Sequence, residues 1–292
     1  MAISRNQLVK ELEPGLNALF GLEYKTYENQ TSEIYTTESS DRAFEEEVML
    51  SGFAQAQVKS EGAGVVYDNA QETYTARYTN ETIALAFAIT EEAIEDNLYD
   101  RLASRYTKAL ARSMASTKQV KGASTLNNGF GTFQSGDGVA LFSTAHPTIA
   151  GTFSNTLATA ADLNETSLEQ ALIDIAALTD ERGLKIAAKG VKMIIPSALQ
   201  FTAERLMKSQ GRVSTADNDI NAIRSMGMIP QGYRVNNYLT DTDAFFITTD
   251  VPNGMKHFNR APLTTKMEGD FDTGNVRYKA RERYVFGVSD PR

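Results

Sequence analysis

The sequence predicts an α+β fold organised by one long helix and a few long strands, and three observations carry that prediction. The stretch YTARYTNETIALAFAI (74–89) alternates and is rich in β-branched and aromatic residues, which marks a long strand. The segment NVRYKARERYVFGV (275–288) alternates in the same way. Between them, Ile94, Leu98, Leu102, Tyr106, Leu110, Met114 and Thr117 recur at helical spacing. A helix from Thr90 to about Val120 would be roughly 45 Å long at 1.5 Å per residue.

Composition narrows what such a fold can do. The 292 residues include no cysteine and two histidines, His146 and His257, so thiolate chemistry, disulfides and multi-histidine metal sites are excluded. A net charge of −8 argues against ordinary nucleic-acid binding, which needs clustered Lys and Arg. No apolar run approaches a membrane span, and MAISRNQLVKELEPGLNALF lacks the apolar core of a signal peptide. These features place the protein in the cytoplasm and predict no membrane association and no cofactor.

Leu8, Leu12, Leu16, Leu19 and Phe20 give residues 1–20 a short amphipathic helix or arm, broken at Pro14–Gly15. Residues 21–45 are polar and dotted with tyrosine; they read as an extended arm that orders on a neighbour through Tyr24, Tyr27, Ile34, Tyr35 and Phe44. VMLSGFAQAQV (48–58) lies opposite the first long strand and makes a two-stranded loop with turn-like Gly62 and Gly64 near its tip. Such a ribbon has little core of its own and needs a partner surface.

Thr90 is the expected N-cap of the long helix, with Glu91 and Glu92 in its first turn and Gly122 as its end. Its outer face carries Arg101, Arg105, Lys108, Arg112, Lys118 and Lys121, and the helix lies across a sheet. Residues 122–163 form a Gly-, Ser- and Thr-rich loop region in which Phe130, Phe133, Leu141, Phe142 and Phe153 need burial. Thr166 to Glu169 reads as a capping box for a helix through Leu168, Leu172, Ile175 and Leu178 that closes at Gly183. VKMIIP is a buried strand, a helix follows Pro196, a short helix falls within 214–228, and GYRVNNYL and DAFFITTD are strands.

The octet LFSTAHPT (141–148) is the strongest candidate for chemistry, with Ser143 as nucleophile and His146 as base. Pro147 holds His146 extended, which turns Ser143 to the opposite face, and no acid beside the octet orients the imidazole. It therefore reads as a loop. GFGTFQSGDG has neither a preceding strand nor a GKS/GKT ending, so it makes no phosphate cradle. Asn29 and Asn80 match the glycosylation pattern by chance. Glu45, Glu46 and Glu47 read as a solvated face, and DTDAF and DNDIN lack the rest of a calcium loop. No catalytic or metal-binding residue emerges.

This order of parts resembles the major capsid proteins of tailed double-stranded DNA bacteriophages, with the Hong Kong 97-type fold, over nearly the whole chain. LFSTAHPT followed by GTFSN, and KGVKMIIPSALQFTAERL, are similar more narrowly to Mu-like major head subunits. The resemblance implies an N-terminal arm at 1–45, an extended loop at 46–82 and a peripheral domain at 83–164 with its spine helix at 90–120. It further implies an axial domain at 165–262 and a return strand of the peripheral domain at 263–292. It implies a homo-oligomer whose pentamers and hexamers close an icosahedral shell around DNA, without sequence-specific binding. Its subunits would be assembled in the host cytoplasm and kept in the virion.

Expected partners are a separate scaffold, because the arm begins almost at Met1, together with a portal and decoration proteins. Tyr24, Tyr27, Tyr35, Phe44, Phe53, Lys59, Tyr74, Arg77 and Tyr78 are the expected inter-subunit contacts. Some proteins of this fold cross-link a lysine to an asparagine; Lys59 lies in the loop, but nothing marks its partner. The competing readings are a cellular nanocompartment shell of the same fold, a hydrolase using Ser143 and His146, and a tail or adhesion protein.

Overall fold

The computed structural model describes residues 5–90, 92, 99–212, 219–270 and 274–292. Helix α1 spans Arg5–Thr26 and carries Pro14 inside it rather than breaking there. Proline removes one backbone donor, but Leu16 and Phe20 in the second half are buried and hold the helix in place. They pack against Leu110 and Met114 of the long helix α2, Tyr99–Asn127. Glu91, Ile94 and Leu98 of the expected first turns of α2 lie outside the described residues.

Helix α2 does not stop at Gly122. It runs on to Asn127, and a Cβ at Gly122 would overlap the Thr31 methyl of the segment crossing it. The glycine marks a close approach of two chain segments, not a terminus. At an ordinary helix position Gly→Ala stabilises by about 1 kcal/mol. Here Gly122→Ala is expected to destabilise the chain by about 1–3 kcal/mol through overpacking, read by denaturant unfolding.

The buried face of α2 consists of Ala103, Thr107, Leu110, Ala111, Met114, Ala115, Ala123 and Leu126, while Tyr106 of the expected stripe is half exposed. Ala103, Leu110, Ala111 and Met114 of this face cover a four-stranded sheet in the order β1-β10-β11-β4, while Leu126 packs with Ile194 and Phe246. These strands are β1 Thr36–Ser39, β4 Glu81–Ile89, β10 Met255–Gly269 and β11 Val276–Val288. Along β11, Val276, Tyr278, Ala280, Glu282 and Tyr284 turn inward, and Arg277, Lys279 and Arg281 turn to solvent.

Strand β10 was not expected from the sequence, since Pro262 lies inside it and proline donates no ladder hydrogen bond. The register with β11 shifts between Asn259 and Ala261 and again between Ala261 and Thr264, so Pro262 is absorbed in an irregular stretch. The expected domain boundary at 262 thus falls inside one continuous strand.

The stretch at 74–89 is also two strands rather than one. Strand β3, Glu72–Thr79, pairs with β2, Phe44–Leu50, and β4 passes into the other sheet. The switch is at Asn80, buried, whose side-chain amide donates to the Ser40 hydroxyl and the Arg42 carbonyl at 2.8 and 3.0 Å. The segment from Gln30 to Ser39 is laid on this chain itself, with β1 parallel to β10, which corrects the expectation that it orders only on a neighbour.

A second core surrounds a three-stranded sheet in the order β8-β7-β9: β7 Gly190–Ile195, β8 Tyr233–Val235 and β9 Phe246–Thr249. Helices α3 (Glu165–Ala176), α4 (Gln200–Lys208) and α5 (Ala222–Met226) cover it with Leu168, Leu172, Ala203, Leu206 and Ile223. Helix α3 is capped by Asn164, which exchanges hydrogen bonds with Ser167, two positions before the expected box. Gly183 is not its end but a turn glycine at φ +82° between Thr179 and Lys185. Among the described residues no helix is long and apolar enough to cross a membrane.

Candidate assembly surface

Strands β2 and β3 form a ribbon that is anchored at its root, where Ala76 and Tyr78 are buried with Phe258 of β10, and that projects away from there. Beyond Ser51 the pairing stops, and every residue from Gly52 to Glu72 is exposed. That tip holds Phe53, Val65 and Val66, each more than 60% exposed, and Val58 and Tyr67, above 90%. Five large apolar side chains in an unpaired loop form a surface awaiting burial. The tip has local order: Asp68 accepts from the Ala54 and Asn69 amides at 2.7 and 2.9 Å, and those amides hold its carboxyl below the usual range.

The root of the ribbon is tied down. Tyr74 donates to the Ser289 carbonyl at 3.0 Å, and Tyr78 bonds the Ser289 hydroxyl. Glu47 accepts from Ser289 and pairs with Lys256, which also reaches Glu38 at 3.1 Å. Burial works against the Lys256 ammonium, but these two carboxylates outweigh it and keep its pKa above the ordinary lysine value. Glu45 accepts from Ser40 at 2.8 Å. Of the acidic run only Glu46 looks outward, 3.6 Å from Arg77, so the run is not a solvated face. The alternation of a strand sends Glu45 and Glu47 inward.

The octet belongs to this support. His146 opens strand β5, His146–Thr148, which pairs with β6, Gly151–Phe153. Its Nδ1 lies 2.6 Å from Asp137 Oδ2, with the two side chains 0% and 2% exposed. Burial pushes the Asp137 carboxyl up, but hydrogen bonds from His146 and Ser135 outweigh it and hold it below the usual range. An orienting acid therefore exists, contrary to the sequence reading.

The third member of a triad is missing among the described residues. The Ser143 hydroxyl accepts from the Ala145 amide at 3.2 Å, while the imidazole stacks on Phe153 at 5.0 Å. The pair pins the hairpin to the 135–139 turn, where Gly136 lies against Tyr74 and Ala76 of the ribbon root. Asn155 bridges the Leu141 and Pro291 carbonyls, and Arg292, itself buried, binds Glu181 at 2.6 Å and Asp290 at 3.1 Å. Asp137, Asn155, Glu181 and Arg292 are structural residues that sequence reasoning missed. Their partners lie far along the chain or carry no motif.

The expected contact residues divide by burial. Tyr35 and Tyr78 are buried in this chain, Tyr35 donating to the Gly122 carbonyl at 2.7 Å, and Tyr24 stacks on Phe20 at 6.1 Å. Tyr27 donates to Glu23 at 3.4 Å within α1 and its exit. Phe44, Phe53, Lys59 and Arg77 remain exposed, with the Arg77 guanidinium 3.9 Å over the Phe44 ring. Phe130, expected inside, is 61% exposed at the mouth of a cleft of about 1130 Å³, against Phe142 at 4.8 Å.

His257, the second histidine, stacks on Phe286 at 4.5 Å. Burial, then the nearby Lys118 charge, lowers its pKa to about 4, so it packs as a neutral ring. No group of carboxylates and histidines suited to a metal ion occurs among the described residues.

The surface total gives these exposed groups a scale. A compact folded monomer of 32.0 kDa presents about 12,000 Å². This chain presents 17,444 Å². The excess, about 5,000 Å², is the size of a large obligate interface.

A family described as phage capsid protein matches residues 73–292. Among solved structures, the chain is similar to the capsid of an empty GTA particle at 14% identity and a TM-score of 0.54, over 91% of this chain and 88% of that one. It is similar to the procapsid of bacteriophage JBD30 at 15% identity and a TM-score of 0.52, over 99% and 74%. A virus-like particle from Pyrococcus furiosus is similar at 10% identity and a TM-score of 0.51, over 94% of each. No curated protein sequence matches.

Proposed function

Because the chain belongs to the phage capsid protein family and has the Hong Kong 97-type fold, we propose that it is the major head subunit, with pentamers and hexamers closing an icosahedral shell around double-stranded DNA. The observation that carries this reading is the exposed ribbon, which bears eight of the 18 large apolar side chains exposed among the described residues. A segment that cannot bury Phe53, Val58, Val65, Val66 and Tyr67 in its own chain buries them on a neighbour. The Pyrococcus particle has the same fold, so fold alone does not separate a phage head from another shell; the family match favours the head.

In this reading residues 1–45 are the arm, 46–82 the extended loop, and α2 the spine of a peripheral domain that includes β4, β10 and β11. The region around β7, β8 and β9 is the axial domain facing the ring centre. Phe44, Phe53, Lys59 and Arg77 are the contact residues retained from the sequence, because their side chains are exposed and can meet a neighbour. Scaffold, portal and decoration proteins complete the assembly in the host cytoplasm. A JBD30 capsid of similar fold is decorated with minor capsid protein trimers, which supports looking for a decoration partner here.

The test is sedimentation of the purified full-length chain over a concentration series. The expected result is a cooperative shift from subunits to rings or particles. A monomer that stays unchanged at every concentration, with and without a co-expressed scaffold, would overturn the reading.

A further inference from the structure

Helix α2 is electrically unlike the chain that contains it. From Ala103 to Asn127 it has no Asp or Glu, and its cations are Arg105, Lys108, Arg112, Lys118 and Lys121. Two are used within the fold. Lys118 lies 3.5 Å from Glu282 and 5.0 Å over the Tyr284 ring, and Lys121 bonds Glu81. The other three are exposed and have no ion-pair partner among the described residues. At 3.6 residues per turn Arg105, Lys108 and Arg112 fall within about 60° of one another on the side away from the sheet. They span about 10 Å, roughly the rise of three nucleotides along one DNA strand.

What surrounds these cations decides between two kinds of anionic partner. The helix surface between them is Ala109, with Ser116 one turn beyond Arg112, small side chains that offer no pocket. The nearest exposed apolar groups are Tyr106, which leans on Phe87 at 5.8 Å, and Val120, more than two turns past Arg112. A protein interface needs buried aromatic or aliphatic anchors at its centre, and this face has none. A row of unpaired cations on a smooth helix suits phosphates, whose contacts are electrostatic and carry no sequence information. The open face of the sheet is a poorer candidate, because acids lie among its cations, with Arg277 paired to Asp270 and Lys266 to Glu268, leaving Lys279 and Arg281.

We propose that Arg105, Lys108 and Arg112 form a phosphate-contact surface for double-stranded DNA, so that the outer face of α2 looks into the shell. This rests on the head-subunit reading. Each subunit contributes a weak, salt-screened contact, and repetition over the shell makes it effective. An overall charge of −8 is compatible with it, because three local cations act within a Debye length of the DNA whatever the chain total.

The experiment titrates a short fluorescein-labelled DNA duplex of mixed sequence with the full-length chain held as dissociated subunits, from low to physiological salt. Three variants are compared: the parent, R105Q/K108Q/R112Q, and K279Q/R281Q on the open sheet face as a control. Glutamine matches the helix propensity of the residues it replaces, and all three sites are exposed, so the melting temperature serves as a folding check. The parent is expected to show a slope of log affinity against log salt of about −2.7, about 0.9 for each phosphate contact. The triple variant should fall toward zero slope, and the control should stay like the parent.

An unchanged slope in the triple variant, or an equal loss in the control, overturns the proposal. So does weaker capture of polyglutamate by the triple variant with duplex binding intact, which would assign the face to an acidic protein. Particle formation, read separately by electron microscopy, tests the shell. Shells with an unchanged slope in the triple variant defeat this surface alone, and a lost slope in a chain that forms no shells even with a co-expressed scaffold keeps the phosphate contact and defeats the head-subunit reading.

Discussion

Replacing His146 with alanine is expected to destabilise the subunit by about 3–5 kcal/mol, because it leaves the buried Asp137 carboxylate without its principal partner. Asp137 would be left with its hydroxyl bond from Ser135 and the Val139 amide at 3.1 Å, but with an empty space where the imidazole had excluded water. The stacking on Phe153 is lost as well. The effect reaches the ribbon, because the turn that Asp137 organises lies under Tyr74 and Ala76. Denaturant unfolding with an intrinsic tyrosine signal measures the loss. Asp137→Asn should destabilise in the same direction, and a change in either variant below about 1 kcal/mol would show that the pair does not hold the turn. A hydrolase reading makes the opposite demand, a stable His146→Ala variant that loses turnover.

The second large effect is on assembly without an effect on folding. Replacing Phe53–Asp68 with a short Gly-Ser turn removes side chains that are exposed in the subunit, so its melting transition should move little. The same change should abolish rings and particles, because it removes Phe53, Val58, Val65, Val66 and Tyr67, five of the 18 large apolar side chains exposed among the described residues. Size-exclusion chromatography with negative-stain imaging reads the outcome. Particles formed as well as by the parent would mean that the ribbon is not the principal contact.

Features written in local pattern were legible in the sequence. The buried run VKMIIP is β7, the alternation of NVRYKARERYVFGV is β11, and the polar, turn-rich 52–71 stretch is a ribbon tip without a core. Features decided by distant contacts were not. Gly122 has the propensity of a helix terminator but serves as the space into which Thr31 fits. Pro14 is carried because Leu16 and Phe20 are held by packing, and Asn80 divides an apparently continuous strand through bonds to Ser40 and Arg42.

The octet shows the same limit. Its own residues correctly argue against a Ser143–His146 couple, yet Asp137 was within nine positions and was missed, because a turn returns it to the imidazole. Net charge conceals distribution in the same way: the chain is acidic, and its longest described helix has no acid from Ala103 onward.

The most direct measurement is hydrogen exchange of the amides of residues 52–71 in assembled particles and in dissociated subunits. The account predicts exchange slowed about tenfold or more in particles, since a neighbour covers a segment that is open in the subunit. Equal, fast exchange in both states would contradict it, because the ribbon would then remain bare in the shell.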